Sequence, residues 1–172
     1  MNVESPYIYV VLACILLGTN LDNRTAYLSS GLVGLAHVGS ILKTSEVYET
    51  EPWQMPKNTP WFLNAAVLLD TPFTPRALMK ALLNIERLMG RRRNGLVESR
   101  TIDMDILLYG DEIIDEDALQ IPHPRLHLRR FALLPLQDIA PDAVHPTLKL
   151  TMKELLERCT DATVVKPYAV PV

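Results

Sequence analysis

Apolar and polar positions along the chain follow two different periods, and the places where the period changes mark out its elements. The run from Tyr7 to Leu17 has no polar face, which predicts a strand buried on both sides. Gly18-Thr19-Asn20 ends it in a turn able to cap a helix that reaches about His37. Ser40–Glu49 reads as a second strand, with Ile41, Val47 and Tyr48 among its apolar residues, and a proline-marked loop follows from Thr50 to Pro60. Phe62–Leu69 is a third strand, dense in apolar residues. Helical spacing then returns: Thr74 suits the N-cap, Pro75 the first helical position, and Leu78, Leu82, Ile85 and Leu88 stripe one face until Gly90. Alternation of Ile102, Met104 and Ile106 with Asp103 and Asp105 predicts a fourth strand.

The order strand–helix–strand–strand–helix–strand is the split βαβ arrangement, so the expected class is α+β with a ferredoxin-like βαββαβ core. A proline-punctuated stretch from Ile121 to Pro146 comes next, then a short helix, Thr151–Cys159, and a tail, Asp161–Val172, expected as a surface extension. The reading is one domain over residues 1–172, with its core at about 7–148 and a C-terminal helix and tail at 149–172.

Composition narrows the class. A chain of 172 residues with 48% hydrophobic and 22% charged residues can bury a substantial core and is neither disordered nor fibrous. The net charge of −3 argues against general nucleic-acid binding, although local basic patches could hold a small polyanion. Tyr7–Leu17 is too short to span a bilayer, and no basic residues precede it as a signal peptide requires. Cys14 and Cys159 lie far apart and read as reduced thiols, so the expected compartment is the cytoplasm.

Four groups of residues can carry chemistry. Asp103 and Asp105 share one face of their strand, roughly 7 Å apart at Cα for a rise of about 3.3 Å per residue. Like charges side by side repel, and aspartate is depleted from strands. A divalent cation between the two would relieve the repulsion, and hard oxygen ligands suit magnesium; the plainer reading is a solvated strand face. Gly90-Arg91-Arg92-Arg93 follows a helix, where cations complement the negative end, but Arg100 and Arg129-Arg130 add cations from other segments. Together with the acidic pair they suit a metal-bound polyphosphate. His123 and His127 are four apart, but Pro124 intervenes and no third ligand is evident, which argues against zinc. Phe62 and Asn64 share a strand face, so a ring could stack on one while the other bonds its edge; the alternative is a core phenylalanine beside a satisfied asparagine. No Gly-x-x-x-x-Gly-Lys-Ser/Thr loop occurs, so any ATP site must use arginines and the aspartate pair.

These residues, taken in order, resemble the 6-hydroxymethyl-7,8-dihydropterin pyrophosphokinases of folate biosynthesis. The resemblance runs from about Tyr9 to Pro146 and includes Leu17-Gly18-Thr19-Asn20-Leu21, Val47-Tyr48-Glu49-Thr50-Glu51-Pro52 and Phe62-Leu63-Asn64-Ala65-Ala66. It continues through Ile85-Glu86 to Gly90-Arg91, then Ser99-Arg100-Thr101-Ile102-Asp103-Met104-Asp105-Ile106-Leu107, Ile121-Pro122-His123-Pro124 and Arg129-Arg130-Phe131. The most specific stretch is close to the family signature Pro-Arg-x-x-Asp-hydrophobic-Asp.

The resemblance implies transfer of pyrophosphate from ATP to a reduced pterin alcohol, with AMP released. It implies that Asp103 and Asp105 hold two Mg2+ ions and that Arg91 and Arg100 are catalytic. Arg93, His123, Arg129 and Glu86 would then contact ATP, while Thr50, Pro52, Phe62, Asn64 and Phe131 would hold the pterin, stacked between the two phenylalanines. The enzyme is expected as a monomer without nucleic-acid or membrane partners. Val97-Glu98-Ser99 and Asn94 depart from many members, within a segment, Arg91–Ser99, expected to act as a lid. Two rival readings fit the residues less well. A nucleotidyltransferase keeps its glycine turn close to its Asp-x-Asp, which the distance from Gly18 to Asp103 contradicts. A non-catalytic ATP- or pterin-binding module fits poorly with an intact aspartate pair and its arginines.

Overall fold

The computed structural model describes residues 10–91 and 99–169. It is α+β, with an antiparallel sheet and four α-helices. In chain order the elements are β1 (Val11–Thr19), α1 (Arg24–Leu35), β2 (Ser40–Thr44), β3 (Tyr48–Thr50), β4 (Phe62–Thr71), α2 (Pro75–Leu88) and β5 (Asp103–Tyr109). A small hairpin of β6 (Ile114–Glu116) and β7 (Leu119–Ile121) follows, then α3 (Arg130–Ile139), α4 (Met152–Arg158) and β8 (Val165–Pro167). The main sheet runs β5-β1-β4-β3-β8, with β2 also paired to β4.

The unbroken apolar character of β1 is explained by two cores, one on each face of the sheet. Ala13, Ile15 and Leu17 pack with Leu28 and Leu35 of α1 and Leu78 and Leu82 of α2. Cys14 and Leu16 point the other way, against Leu133 and Leu136 of α3 and Met152 and Leu155 of α4. Burial pushes the Cys14 thiol up to about 12, so it is protonated and inert.

Several boundaries differ from the sequence expectation. The strand continues past Leu17 through Gly18 and Thr19, and the helix is capped by Asn23, whose Oδ1 accepts from the Ala26 N–H at 3.1 Å. The single strand expected over Ser40–Glu49 is two, β2 and β3, both on β4. Between them the Ser45 hydroxyl accepts from the Ala66 N–H at 2.8 Å and donates to the Glu46 carbonyl at 2.7 Å. A short polar side chain there replaces ladder bonds and breaks the strand. In α2 the Thr74 cap, Pro75 and buried Leu78 and Leu82 are as expected, but Leu88 is 70% exposed and leaves the stripe. The proline-punctuated stretch contains α3, with Pro135 inside it. The tail is no loose extension, since Val165–Pro167 forms the strand β8 on β3. Among the described residues, no helix is long and apolar enough to cross a membrane.

Candidate active site

Antiparallel pairing sets the site, because residues opposite each other across a ladder share a face. Asp103 of β5 stands opposite Gly18 of β1, and Gly18 opposite Asn64 of β4. Asp105 stands opposite Leu16, and Thr50 of β3 opposite Phe62. One sheet face therefore carries two carboxylates at one end and an aromatic–amide group at the other. Glycine at position 18 leaves room for the Asn64 amide: a Cβ there would lie 2.7 Å from Asn64 Oδ1 and push that side chain aside. Asn64 Nδ2 donates to Thr50 Oγ1 at 2.7 Å, and both side chains are buried.

The face forms the floor of a cleft of about 290 Å³. Arg91, Arg100, Asp103, Asp105, His123 and Arg129 line its charged end, and Thr50, Phe62, Asn64, Trp53 and Phe131 its aromatic end. Asp103 is paired with both Arg91 Nη1 and Arg100 Nη1. Asp105 receives no such partner among the described residues. Burial, then the Asp103 carboxylate, pushes its carboxyl up to about 7, the shift expected of adjacent acids short of countercharge. Both acids flank the cleft instead of standing on a freely solvated face.

Burial, followed by the charges of Arg129 and Arg125, lowers His123 to about 4, so the ring is neutral near pH 7. Its Nδ1 lies 3.1 Å from the Arg125 N–H and its Nε2 lies 3.4 Å from Arg129 Nη1, so each ring nitrogen faces a donor. The Arg129 guanidinium lies 5.0 Å from the Trp53 ring centre and 5.5 Å from that of Phe131, and its buried Nε has no hydrogen-bond partner among the described residues. Arg100 lies 5.6 Å from the Phe62 ring centre.

Ten of the thirteen residues singled out from sequence line this cleft. Pro52 does not, although its neighbours Glu51 and Trp53 do. Glu86 does not either: it is 1% exposed, and its Oε1 accepts from the Met104 N–H and from Arg91 Nη1, each at 2.8 Å. It holds Arg91 and the backbone of β5 from beneath the site. Arg93, and with it most of the expected lid, lies outside the described residues. Gln54, Met55 and Arg125, none of them singled out from sequence, also line the cleft, as does Trp53. Trp53 was the detectable one, an aromatic residue in a proline-marked loop directly after Glu51-Pro52.

Residues 14–141 match the family model described as 7,8-dihydro-6-hydroxymethylpterin-pyrophosphokinase (HPPK). The chain belongs to the HPPK family. It is a transferase of folate biosynthesis that moves pyrophosphate from ATP to hydroxymethyldihydropterin. HPPK relatives include the 2-amino-4-hydroxy-6-hydroxymethyldihydropteridine pyrophosphokinase of Haemophilus influenzae, 35% identical over 91% of this chain and 98% of that protein. The enzyme of the same name from Aquifex aeolicus is 36% identical over 88% of this chain and 92% of its own length. This HPPK chain is also 38% identical to the folic acid synthesis protein fol1 of Pneumocystis carinii, over 84% of the chain but only 20% of that longer protein. Among solved structures, wild-type Plasmodium falciparum HPPK-DHPS with SDX-DHP shares the fold, with a TM-score of 0.72 at 19% identity. The match covers 90% of this chain and 45% of the Plasmodium one.

Proposed function

We propose that the aromatic end of the cleft takes the pterin ring between Phe62 and Phe131, and that the charged end takes the ATP phosphates. The observation that carries this reading is one sheet face with a carboxylate pair at one end and a ring-sized aromatic–amide group at the other. The Thr50 bond fixes the Asn64 amide with Oδ1 over Gly18, an acceptor set for the polar edge of a stacked ring. Arg91 and Arg100 are assigned to the transferring group, and Arg129 and Arg93 to supporting nucleotide contacts. His123, as a neutral ring beside Arg129, is assigned to the phosphate chain. Glu86 acts through Arg91.

The donor set fits Mg2+. Among the described residues no three His, Cys, Asp or Glu side chains cluster, and Mg2+ binds through one or two carboxylates with substrate phosphates and water completing its shell. Asp103 and Asp105 would hold two such ions, which when bound supply positive charge against the phosphate oxygens. The protein's own share is positioning and charge. With the ring stacked, the hydroxymethyl oxygen is aimed at the β-phosphorus. A bond forms from that oxygen, the bond to the α-phosphate oxygen breaks, and AMP leaves as the alcohol proton is released.

The sheet order, with β2 and β3 read as one interrupted strand, supports the ferredoxin-like reading of the core. The unpaired Cys14 and Cys159 support a reducing, cytoplasmic setting. Incubation with ATP, Mg2+ and the pterin alcohol should release AMP with pterin dependence. ADP as the sole pterin-dependent nucleotide would overturn the assignment.

A further inference from the structure

On the sheet face opposite the cleft, Glu49 of β3 is the hub of a charged cluster. Its carboxylate accepts from Arg24 Nη2 at 2.9 Å and from Lys166 Nζ at 3.1 Å. Burial raises its carboxyl, but these two bonds outweigh burial and hold it below the usual carboxylate range. Arg24 uses its other nitrogen as well, donating from Nη1 to the Trp61 carbonyl at 2.8 Å. One guanidinium thus ties residue 49 to residue 61, the two ends of the loop that carries Trp53, Gln54 and Met55 over the cleft.

The C-terminal strand braces the same loop. β8 pairs residue for residue with β3, and beyond the ladder the Glu51 N–H donates to the Val164 carbonyl at 2.9 Å. The Val164 N–H returns a bond to Glu51 Oε2 at 3.2 Å. Lys166 Nζ lies 5.1 Å from the Trp61 ring centre, and Arg24 5.6 Å from that of Tyr168. Tyr48 and Thr50, flanking Glu49, point to the other face, where Thr50 holds Asn64. A shift of β3 therefore moves the cleft's amide group and its loop together.

We propose that Arg24, Glu49 and Lys166 form a positioning cluster that fixes the seat of the 51–61 loop and of Thr50, and so sets pterin affinity without touching the pterin. The carboxylate pair sits on the far edge strand, β5, and does not depend on this tie. The effect should therefore fall mainly on the pterin, with ATP touched only through the contact of Trp53 with Arg129. The inference rests on assigning the aromatic end to the pterin.

Steady-state kinetics with both substrates varied, together with tryptophan emission, test it. Both tryptophans of the chain, Trp53 and Trp61, belong to this segment, so emission reports on it alone. Arg24→Gln should raise the KM for the pterin alcohol about tenfold, the scale of one lost charge-assisted hydrogen bond. KM for ATP and kcat should stay within about twofold, and the emission should shift to the red. Arg24→Lys should recover only part of the loss, because an ammonium cannot bridge Glu49 and the Trp61 carbonyl as a fork does. If Arg24→Gln does not fold, Lys166→Met decides: its side chain is 56% exposed, and the pterin KM should rise about two- to threefold with ATP unaffected. Folded variants with unchanged pterin KM, or with both KM values raised alike, overturn the proposal. Phe62→Ala separates the two readings: should it leave pterin binding intact, the slot assignment fails, and the cluster's role with it.

Discussion

At the scale of residues, the acidic pair decides the most. Asp103→Asn or Asp105→Asn keeps the side chain's size at the edge of the cleft, outside both apolar cores, so the fold should survive while turnover falls by several orders of magnitude. Circular dichroism and a turnover assay together check this, and near-normal activity with an intact spectrum would return the pair to the status of surface acids. His123 makes a pH prediction. Its folded value, about 4, lies below the ordinary value of 6.5, so between these limits the unfolded chain takes up the proton first. The stability contributed by neutral His123 is thus complete above pH 6.5 and lost as pH falls towards 4. His123→Gln should lose less stability than the parent over that window, measured by urea denaturation at pH 7 and pH 5. Much of this site was legible in the chain, because Asp-x-Asp, Phe-x-Asn and Arg-Arg-Phe place their side chains by strand alternation or immediate adjacency. Glu86, expected as an ATP contact, is buried beneath the cleft, and its position announced that burial. Leu78, Leu82 and Glu86 repeat at four residues, the spacing of one helical face.

At the scale of elements, that buried glutamate stitches α2 to β5. Glu86→Ala would leave the buried Met104 N–H without an acceptor and remove one anchor of Arg91. The expected loss is roughly 1–3 kcal/mol of stability, with a lower kcat because Arg91 is no longer held. Glu86→Gln, which keeps an acceptor for Met104, should restore most of the stability but not the charge on Arg91. Equal stability of Glu86→Ala and the parent in denaturant titration would show that the contact carries little. Long periodic elements such as β4 and α2 were readable because they span many repeats of their period. β8 was not, since a three-residue strand has no period to read and is made a strand by its neighbour β3. α3 was hidden by Pro135, which its buried face against β4 overrides.

At the scale of the molecule, one sheet separates two cores, and β1 contributes alternate side chains to both. Neither core can dissolve without stripping a face of that strand, so thermal unfolding should be a single transition. Far-ultraviolet and near-ultraviolet dichroism should give coincident midpoints, and separated midpoints would divide the chain into two units. The same connectivity has a meaning for how the protein is made. β3 leaves the ribosome long before its outer neighbour β8 exists. Throughout that interval its outer backbone N–H and C=O groups have no partner strand, an open edge that can template pairing with another chain. Nascent chains halted before residue 165 would carry every acidic and basic group assigned to catalysis together with this adhesive border. Translation, and not the chemistry of the cleft, then sets the period in which the protein most needs protection from its own copies.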